Sequence, residues 1–449
     1  MNHETQQANG LPAGWVWTTL GEVTNTTRRR VQPQDHPLLR FVGMEHVEAH
    51  TMRVLSTVPA SEMRSTAEYF EPGDVLYGRL RPYLNKVFCA DFTGLCSGEF
   101  IAFRKVEHVA SKYLLYFLNS WEFVSFASHL NEGDRPRVSM DQLVGYPFPL
   151  APLPEQHRIV AEIETQFTRL DAGVAALKRV QAKLRRYKAA LLKAACEGRL
   201  VPTEAELARV EGRPYEPAAA LLAHILAERR AQWQQTNPGK RYVEPKEVDA
   251  DGLAELPEGW VWARFEQFTE NHDGRRVPVK ASDRQEMQGE YPYYGASGII
   301  DHVNDYLFDG EYLLVAEDGA NLLARSSPIA FQAHGRFWVN NHAHVVRTFC
   351  GCPLGYLEFF LNSIDLKFLV TGSAQPKLTQ ANLHRINVPV PPLVEQRRIV
   401  AEVERRLSVA QEVESTVAAS LRRAERLRQS ILKRAFEGRL IPQDQGAGT

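Results

Sequence analysis

The sequence predicts an α+β fold in which two mixed α/β domains are joined by two long antiparallel coiled-coil helices, with a pseudo-twofold internal repeat. The first observation is that four short segments occur twice in the same order, about 240 residues apart. The second is that a long amphipathic pattern follows the third segment of each copy. The third is that the stretches between the segments do not match. A long period with a constant frame and a divergent interior indicates two copies of one domain on a common scaffold.

The four repeated segments are closely similar between the copies. They are LPAGWVW (11–17) and LPEGWVW (256–262), YLLYFLNS (113–120) and YLEFFLNS (356–363), PLPEQHRIVAEI (152–163) and PLVEQRRIVAEV (392–403), and LKAACEGRLVP (192–202) and LKRAFEGRLIP (432–442). The offsets are 245, 243, 240 and 240 residues, so only small insertions separate the copies.

The repeats divide the chain into five parts. We expect a first mixed domain over 1–151, a helical region over 152–202, a helical linker and tether over 203–259, a second mixed domain over 260–391 and a second helical region over 392–449. Both mixed domains contain short aromatic and β-branched runs separated by glycine and proline, which is typical of strands joined by turns. In the linker a helical pattern precedes a proline-punctuated stretch, which predicts an extended tether.

Two long helices are predicted because apolar residues recur at steps of three, four or seven after each PLxEQ segment, without an internal proline. Gly198 and Gly438 are suited to end them. About 40 residues at a rise of about 1.5 Å give rods of roughly 60 Å. Such a rod needs a partner for its apolar seam, and the other copy is the obvious candidate. The residues expected at helix–helix and partner contacts are Ile163, Phe167, Leu170, Leu177, Leu184, Val403, Leu407, Leu421 and Ile431.

The composition is that of a globular protein, with 44% hydrophobic and 24% charged residues. No apolar run approaches the roughly 18 residues that cross a bilayer, and the N-terminus lacks a signal-peptide core. Five cysteines without zinc-ligand spacing favour a reduced cytoplasmic protein. The net charge is −1, yet the helical regions are basic: ten Lys or Arg against five Asp or Glu over 154–200, and eleven against seven over 394–440. This pattern is compatible with DNA binding and also with solvated helix faces.

Motifs of common catalytic sites do not occur in the sequence. We find no glycine-rich phosphate loop, no His-Glu-x-x-His motif and no Asn-Pro-Pro-aromatic motif of the kind that amino-methyltransferases use. His342 and His344 would share one face of a strand, but a third metal ligand is not evident nearby. We therefore expect a non-catalytic binding protein without catalytic residues or a metal site.

Basic residues interleaved with aromatic ones mark a candidate DNA-binding stretch in the first domain. If the stretch is extended, Arg79, Arg81 and Tyr83 lie on one side. Arginine suits bidentate contact with guanine, and asparagine suits contact with adenine. The alternative is a strand–turn edge with solvated charges. The candidates are Arg79, Arg81, Tyr83, Asn85 and Lys86.

A second candidate stretch occurs in both copies. Residues 133–139 (GDRPRVS) recur as 372–379 (GSAQPKLT), and in each a basic residue follows the proline. Ser139 and Thr379 are placed to cap a short helix. The basic residue could equally contact a phosphate or a base, or face solvent. The further DNA-binding candidates are Arg135, Arg137, Tyr293, Tyr294, Asn341, His342, Gln375 and Lys377.

With these repeats in order and at these spacings, the chain resembles the DNA-specificity subunit of a type I restriction–modification enzyme, from Leu11 to Pro442. The resemblance implies a non-catalytic subunit that binds a bipartite, asymmetric double-stranded DNA site, one half per target-recognition domain. It implies that the long helices fix the gap between the half-sites and dock two methyltransferase subunits, and that two motor–nuclease subunits complete the restriction enzyme. S-adenosylmethionine, ATP and Mg²⁺ are then expected on the partner subunits, and no cofactor on this one.

Two alternatives remain open at the level of sequence. One is the specificity subunit of a methylation-only or a fused restriction–methylation defence system, whose sequence would hardly differ. The other is a coiled-coil scaffold that binds proteins, with the divergent domains as peptide readers.

Overall fold

The computed structural model describes residues 10–372 and 374–442, so the ends of the predicted parts 1–151 and 392–449 lie outside the described residues. The chain divides into two compact units. Unit 1 comprises Met1–Arg179 and Val417–Thr449, and unit 2 comprises Val180–Thr416. Each unit thus combines one predicted mixed domain with a part of each long helix. Among the described residues, no helix is both long enough and apolar enough to cross a membrane.

Unit 1 is a mixed α/β domain, as the sequence predicts. Its strands are β1 (Val16–Thr19), β2 (Arg30–Val31), β3 (Arg40–Val42), β4 (Val58–Pro59), β5 (Ala67–Phe70), β6 (Val75–Gly78), β7 (Val87–Cys89), β8 (Gly94–Cys96), β9 (Phe100–Phe103) and β10 (Pro147–Leu150). Its short helices are α1 (Ser111–Leu118), α2 (Trp121–Ser128) and α3 (Met140–Leu143). The strands form a five-stranded sheet (β2-β5-β8-β3-β4), a three-stranded sheet (β7-β6-β9) and the antiparallel pair β1-β10.

A buried ion cluster joins the two larger sheets of unit 1. Arg104, at the end of β9, is only 6% exposed. Its guanidinium donates to the carboxylate of Glu68 in β5 and, over 2.9 Å, to Oδ2 of Asp74. It also donates to the carbonyl oxygens of Thr27 and Tyr69 over 3.0 and 2.7 Å. The cluster therefore satisfies its own charges where water cannot reach them.

Unit 2 begins with the linker. After α4 (Leu153–Cys196), the long helix that runs from unit 1 into unit 2, come α5 (Glu204–Glu211) and α6 (Ala218–Thr236). The sequence predicts α6 but not α5, which Thr203 caps through its side chain. The tether that follows has no helix or strand between Thr236 and Val261, and its carbonyl oxygens at Glu247 and Ala254 accept hydrogen bonds from Arg264 and Trp262.

The second mixed domain has a different sheet. Its strands are β11 (Val261–Arg264), β12 (Thr269–Asn271), β13 (Gln288–Gly295), β14 (Gly298–Val303), β15 (Phe308–Ala316), β16 (Ala330–Val339), β17 (Ala343–Thr348) and β18 (Asn387–Val390). Its helices are α7 (Phe265–Phe268), α8 (Ala281–Glu286), α9 (Asn321–Ala324), α10 (Leu354–Ser363) and α11 (Gln380–His384). A six-stranded sheet (β12-β17-β15-β16-β13-β14) replaces the two larger sheets of unit 1, whereas the pair β11-β18 repeats β1-β10.

The two long helices are confirmed. The helix α12 (Leu393–Phe436) has the same length as α4, 44 residues. Gly198 and Gly438 follow the helix ends with φ of +68°, the left-handed conformation that glycine adopts without a steric penalty. Within unit 1, Arg428 of α12 pairs with Asp171 of α4, and within unit 2 Glu414 of α12 pairs with Lys188 of α4. The position on α4 rises from 171 to 188 while that on α12 falls from 428 to 414, so the helices run antiparallel.

The seam residues differ in burial. Ile163, Phe167 and Ile431 lie in the core of unit 1 and Val403 in the core of unit 2, so these four pack against the mixed domains as well as between helices. The prediction of helix–helix and partner contacts at these residues stays a prediction. The others are only half-buried, as two helices alone cannot enclose a side chain fully: Leu170, Leu177, Leu184, Leu407 and Leu421.

Matching hydrogen bonds hold each mixed domain to the start of its long helix. In unit 1, Gln156 donates to the carbonyl oxygen of Ala151 over 2.8 Å. In unit 2, Gln396, 240 residues later, donates to the carbonyl oxygen of Pro391 over 2.9 Å. The repeated sequence thus produces the same local joint twice.

A second matched pair ties the start of each long helix to the segment that follows the other one. The side chain of Arg158 donates to the carbonyl oxygen of Pro442 over 3.0 Å. That of Arg398 donates to the carbonyl oxygen of Pro202 over 3.2 Å. These joints give the internal repeat its pseudo-twofold character.

Candidate nucleic-acid interface

Two of the sequence-predicted stretches meet in unit 1. Residues 79–81, just after β6, pair with residues 136–138 through the isolated bridge between Leu80 and Arg137. The amide of Arg81 donates to the carbonyl oxygen of Pro136 over 2.8 Å, and that of Val138 to the carbonyl oxygen of Arg79 over 3.0 Å. We call residues 79–81 with 136–138 the unit 1 corner. It gathers three of the predicted basic residues in one place.

Two guanidinium groups of the unit 1 corner have no protein partner. The side chains of Arg79 and Arg81 are half-buried and form no hydrogen bond or ion pair with any described residue. Their Nε atoms are fully buried and still unpaired. A buried donor without an acceptor costs free energy of about 1–3 kcal/mol. The half-buried guanidinium groups leave their remaining N–H donors free for an acceptor supplied by a ligand.

The local backbone corrects one expectation. Residues 79–85 are not extended, because Arg81 and Asn85 adopt the left-handed conformation, with φ of +52° and +42°, on either side of a short 3₁₀ helix, Pro82–Leu84. The expected alternation of Arg79, Arg81 and Tyr83 on one side therefore does not apply. Tyr83 is nevertheless exposed at the tip of the turn.

The remaining candidates of unit 1 have mixed placements. Asn85 is 2% exposed, so its side chain is a core group and cannot touch DNA at the surface. Lys86 donates to the carbonyl oxygen of Met44 over 2.6 Å, which holds it against the protein. Arg135 is exposed. Arg137 is 55% exposed and donates to Glu99 over 2.6 Å.

The two short helices after the second candidate stretch are confirmed. Ser139 precedes α3 and forms a capping box with Gln142. Thr379 precedes α11, and its side chain accepts from the amide of Asn382 over 3.3 Å. These caps fix the chain direction immediately after the basic residues 137 and 377.

Unit 2 contains a corner built in the same way. Residues 317–319, after β15, pair with residues 376–378 through the bridge between Asp318 and Lys377. The amide of Gly319 donates to the carbonyl oxygen of Pro376 over 3.0 Å. We call residues 317–319 with 376–378 the unit 2 corner. Gln375, which is exposed, directly precedes residues 376–378, and the exposed Asn341 directly precedes His342.

Acidic residues of the unit 2 corner are paired with basic residues. Lys377 donates from Nζ to Oε1 of Glu317 over 3.1 Å. His342 lies with Nδ1 at 2.9 and 2.8 Å from the two carboxylate oxygens of Asp318. The histidine side chain is 46% exposed.

Behind the unit 2 corner lies a buried ionic network that the sequence does not predict. His344 is fully buried, with Nδ1 at 2.6 Å from Oδ2 of Asp273 and Nε2 at 2.8 Å from the carbonyl oxygen of Leu378. Arg276 donates to Oε2 of Glu317 over 2.6 Å. In the sequence, the network shows only as several charged residues close to position 273, and ordinary surface loops have the same composition.

The ligand atoms of Asp273, Glu317 and His344 lie within 4.8 Å of one another, as in a metal site. Here, however, Arg276 and Lys377 already supply positive charge to the carboxylates, and both ring nitrogens of His344 face protein oxygens. The contacts fit a protein-only network. His342 and His344, which the sequence places on one face of a strand, each contact a different acid.

Two aromatic candidates of unit 2 are core residues. Tyr293 is 1% exposed, and its hydroxyl accepts from the amide of Val279 over 3.0 Å, so its expected contact with DNA is corrected to a packing role. Tyr294 is half-buried against Phe331 and Phe337. Because the two tyrosines are consecutive in β13, their side chains point to opposite faces of the strand, and each packs in a different apolar cluster.

We expect acid to weaken unit 2 through this network. Burial alone raises the pKa of Asp273 and of Glu317, but the hydrogen bonds from His344 and Arg276 outweigh it and hold both pKa values below the ordinary 3.8 and 4.5. A carboxyl group with a lowered pKa stabilises the fold above its ordinary pKa, and this contribution is lost as the pH falls through the lowered value. Asp273→Asn and Glu317→Gln should therefore lower the melting temperature at pH 7, and the deficit should shrink below about pH 4.

Differential scanning calorimetry of the full chain at both pH values measures this effect. Asp309→Asn, at an exposed carboxylate of the same unit, is the control and should change little at either pH. A deficit that is the same at pH 7 and below pH 4 would show that the network does not depend on the ionised carboxylates.

The sequence model of the family described as type I restriction modification DNA specificity domain matches residues 12–179 and 257–414, most of both units. A putative type I restriction enzyme specificity subunit of Haemophilus influenzae is 37% identical, over 31% of this chain and 35% of its own length. The StySPI specificity subunit of Salmonella potsdam is 24% identical over 96% of this chain and 90% of its own length. The first alignment thus spans about a third of that relative, and the second nearly all of it.

Solved structures share the fold. A chain solved in work on complex assembly and conformational transition of the type I R-M system has a TM-score of 0.66 at 21% identity, covering 96% of this chain and all of its own length. The HsdS subunit of Thermoanaerobacter tengcongensis has a TM-score of 0.53 at 21% identity, covering 97% and 100%. With two family matches in one chain and the duplicated architecture around two long helices, the chain belongs to the family of DNA-specificity subunits of type I restriction–modification enzymes.

Proposed function

We propose that the chain gives its complex a bipartite, asymmetric target on double-stranded DNA, with one half-site read by each unit. The observation that carries this proposal is the unit 1 corner, where the half-buried guanidinium groups of Arg79 and Arg81 have no hydrogen-bond partner among the described residues. Guanine presents two acceptors to an arginine in the major groove, and a phosphate presents acceptors to any cation. A nucleic acid therefore supplies what the corner lacks.

Recognition of two short half-sites becomes selective when the two recognising units are linked. Each half-site alone supports a few base contacts, each worth about 1–3 kcal/mol of discrimination. Once one unit is bound, the other meets its half-site at a high effective concentration. The continuous helices α4 and α12, which both run from one unit into the other, would set the gap between the half-sites.

The same helices are the proposed dock for two methyltransferase subunits. They expose apolar side chains that a lone coiled coil does not need, including Val409 and Val413 in unit 2 and Leu427 in unit 1. Methyl transfer and DNA cleavage would be carried out by partners, which would hold S-adenosylmethionine, ATP and Mg²⁺, with two motor–nuclease subunits completing a restriction complex. The chain itself would act without a catalytic site, in the cytoplasm, where DNA is accessible.

We expect Arg79→Ala and Arg81→Ala each to weaken binding to the cognate DNA by roughly 1–3 kcal/mol, because each removes a donor that only DNA satisfies. Methylation-aware sequencing of cells that carry the complex defines the cognate motif, and fluorescence anisotropy at fixed salt measures the affinity. Arg64→Ala, at an exposed arginine outside the corner, is the matched control. Unchanged affinity in both corner variants, or a wild-type complex without any preferred motif, would contradict the proposed function.

A further inference from the structure

The unit 1 and unit 2 corners have the same backbone hydrogen bonds although their domains carry different sheets. In unit 1 the amide of Arg79 donates to the carbonyl oxygen of Glu99 over 2.8 Å. In unit 2 the amide of Glu317 donates to the carbonyl oxygen of His342 over 2.9 Å. These bonds make Arg79 equivalent to Glu317, and Glu99 equivalent to His342.

Two further bonds extend the equivalence. The amide of Val138 donates to residue 79 over 3.0 Å, as that of Leu378 donates to residue 317 over 2.7 Å. The bridges between Leu80 and Arg137 and between Asp318 and Lys377 complete the match. The strand that precedes each corner also has an equivalent antiparallel partner: β6 pairs with β9 in unit 1, and β15 pairs with β17 in unit 2. One backbone frame therefore recurs in both units.

The side chains on this frame exchange their hydrogen-bonding character. Where unit 1 has Arg79, Leu80 and Arg81, unit 2 has Glu317, Asp318 and Gly319. Where unit 1 has the acceptor Glu99, unit 2 has His342. Only the third position keeps its sign, with Arg137 in unit 1 and Lys377 in unit 2. The unit 1 corner thus presents donors, and the unit 2 corner presents the carboxylate of Asp318, because that of Glu317 is paired with Arg276 and Lys377.

The two corners also differ in how far the protein satisfies them. In unit 1, Arg79 and Arg81 are unpaired, which demands an acceptor from outside. In unit 2, the carboxylate of Asp318 is held by His342 and is 13% exposed, so its position is fixed while a part of its surface stays open. A carboxylate has about four acceptor sites, so it can accept a further hydrogen bond. It would repel a phosphate and attract a base amino group.

We propose that the two corners are equivalent reading sites with different hydrogen-bond character: the unit 1 corner takes an acceptor edge such as that of guanine through Arg81, and the unit 2 corner takes an amino edge such as that of cytosine through Asp318. This inference rests on the proposed function, since both readings are of DNA bases. Arg81 and Asp318, at neighbouring positions of the shared backbone frame, are the specificity-determining residues that it singles out. One scaffold then yields an asymmetric target because equivalent corners carry side chains of opposite hydrogen-bond character.

The test is selection of bound sequences from random double-stranded DNA by the full chain in complex with its methyltransferase partner. Arg81→Gln should lower the preference for the wild-type base at one base pair of one half-site by roughly tenfold or more. The base preferences of the other half-site should stay unchanged. Asp318→Asn should do the same in the other half-site only. Arg64→Gln and Asp305→Asn, at exposed positions of each unit outside the corners, are the controls and should select the wild-type motif.

Arg81→Lys separates a base contact from a phosphate contact. Lysine keeps the charge but lacks the planar fork that matches guanine, so the base preference should fall while the salt dependence of binding stays. A wild-type complex that selects no motif would overturn the proposed function itself. If the wild-type motif persists in Arg81→Lys, Arg81→Gln or Asp318→Asn, with affinity lowered evenly for all sequences, the corners do not read bases. The proposed function would still stand in that case.

Discussion

Replacement of Arg104 by leucine is expected to unfold unit 1 at temperatures at which unit 2 stays folded. The change removes the cation from a buried cluster and leaves the carboxylates of Glu68 and Asp74, each less than 10% exposed, without a counter-charge. Breaking a buried pair from one side costs about 3–5 kcal/mol, far more than an exposed pair is worth. That is a large part of the stability of a typical domain.

Hydrogen exchange measured by mass spectrometry on the full chain resolves the two units. Peptides from β5, β6 and β9 should lose protection in Arg104→Leu, whereas peptides from β15 and β17 should keep theirs. Arg29→Ala, which breaks the exposed pair with Glu71, is the control and should cost at most about 1 kcal/mol. Adding Glu68→Gln and Asp74→Asn to Arg104→Leu should restore part of the protection, because no buried charge remains. Equal loss of protection in both units would argue against a cluster that acts on unit 1.

Insertion of seven residues into both long helices is expected to lengthen the gap between the half-sites by about three base pairs and to leave both half-sites unchanged. One heptad adds about 10.5 Å of helical rise and keeps the seam in register, and DNA advances about 3.4 Å per base pair. Facing positions are found from the pairs that join α4 to α12, Asp171 with Arg428 and Lys188 with Glu414. Sites after Arg179 and after Ser420 lie between these pairs on each helix.

The methylated motif in cells that carry the variant complex is the measurement. The control is a seven-residue insertion after Gly239, which lies beyond the end of α6 at Thr236 and outside both long helices, and so should not change the gap. If the helix insertion changes the sequence of a half-site while the gap stays constant, the helices do not set the spacing.

The features that the sequence predicts well are those with a local and periodic cause. Both 44-residue helices follow from apolar spacing, and their ends follow from Gly198 and Gly438. The caps at Ser139 and Thr379 follow from the same short-range chemistry. The repeat then identifies the joints between domains and helices, because identical segments fold alike.

The features that the sequence does not predict depend on contacts between distant segments. No local pattern brings residues 79–81 to 136–138, since one isolated bridge makes the contact. Left-handed backbone at Arg81 and Asn85 is unusual for residues other than glycine, so a strand-like extrapolation fails there. The burial of Tyr293 depends on which side of β13 meets the core, and its aromatic neighbours in sequence conceal that choice.

The matched joints at Gln156 and Gln396, and at Arg158 and Arg398, have a consequence for inheritance. Each joint is encoded by a stretch that is nearly the same in both copies and that flanks a divergent domain. A genetic crossover within such stretches would deliver a foreign domain with both of its attachment points intact. The incoming domain would meet the same donors and the same helix start as the one it replaces. New target sequences could therefore arise by exchange of whole segments between genes, without a series of destabilising intermediate mutations.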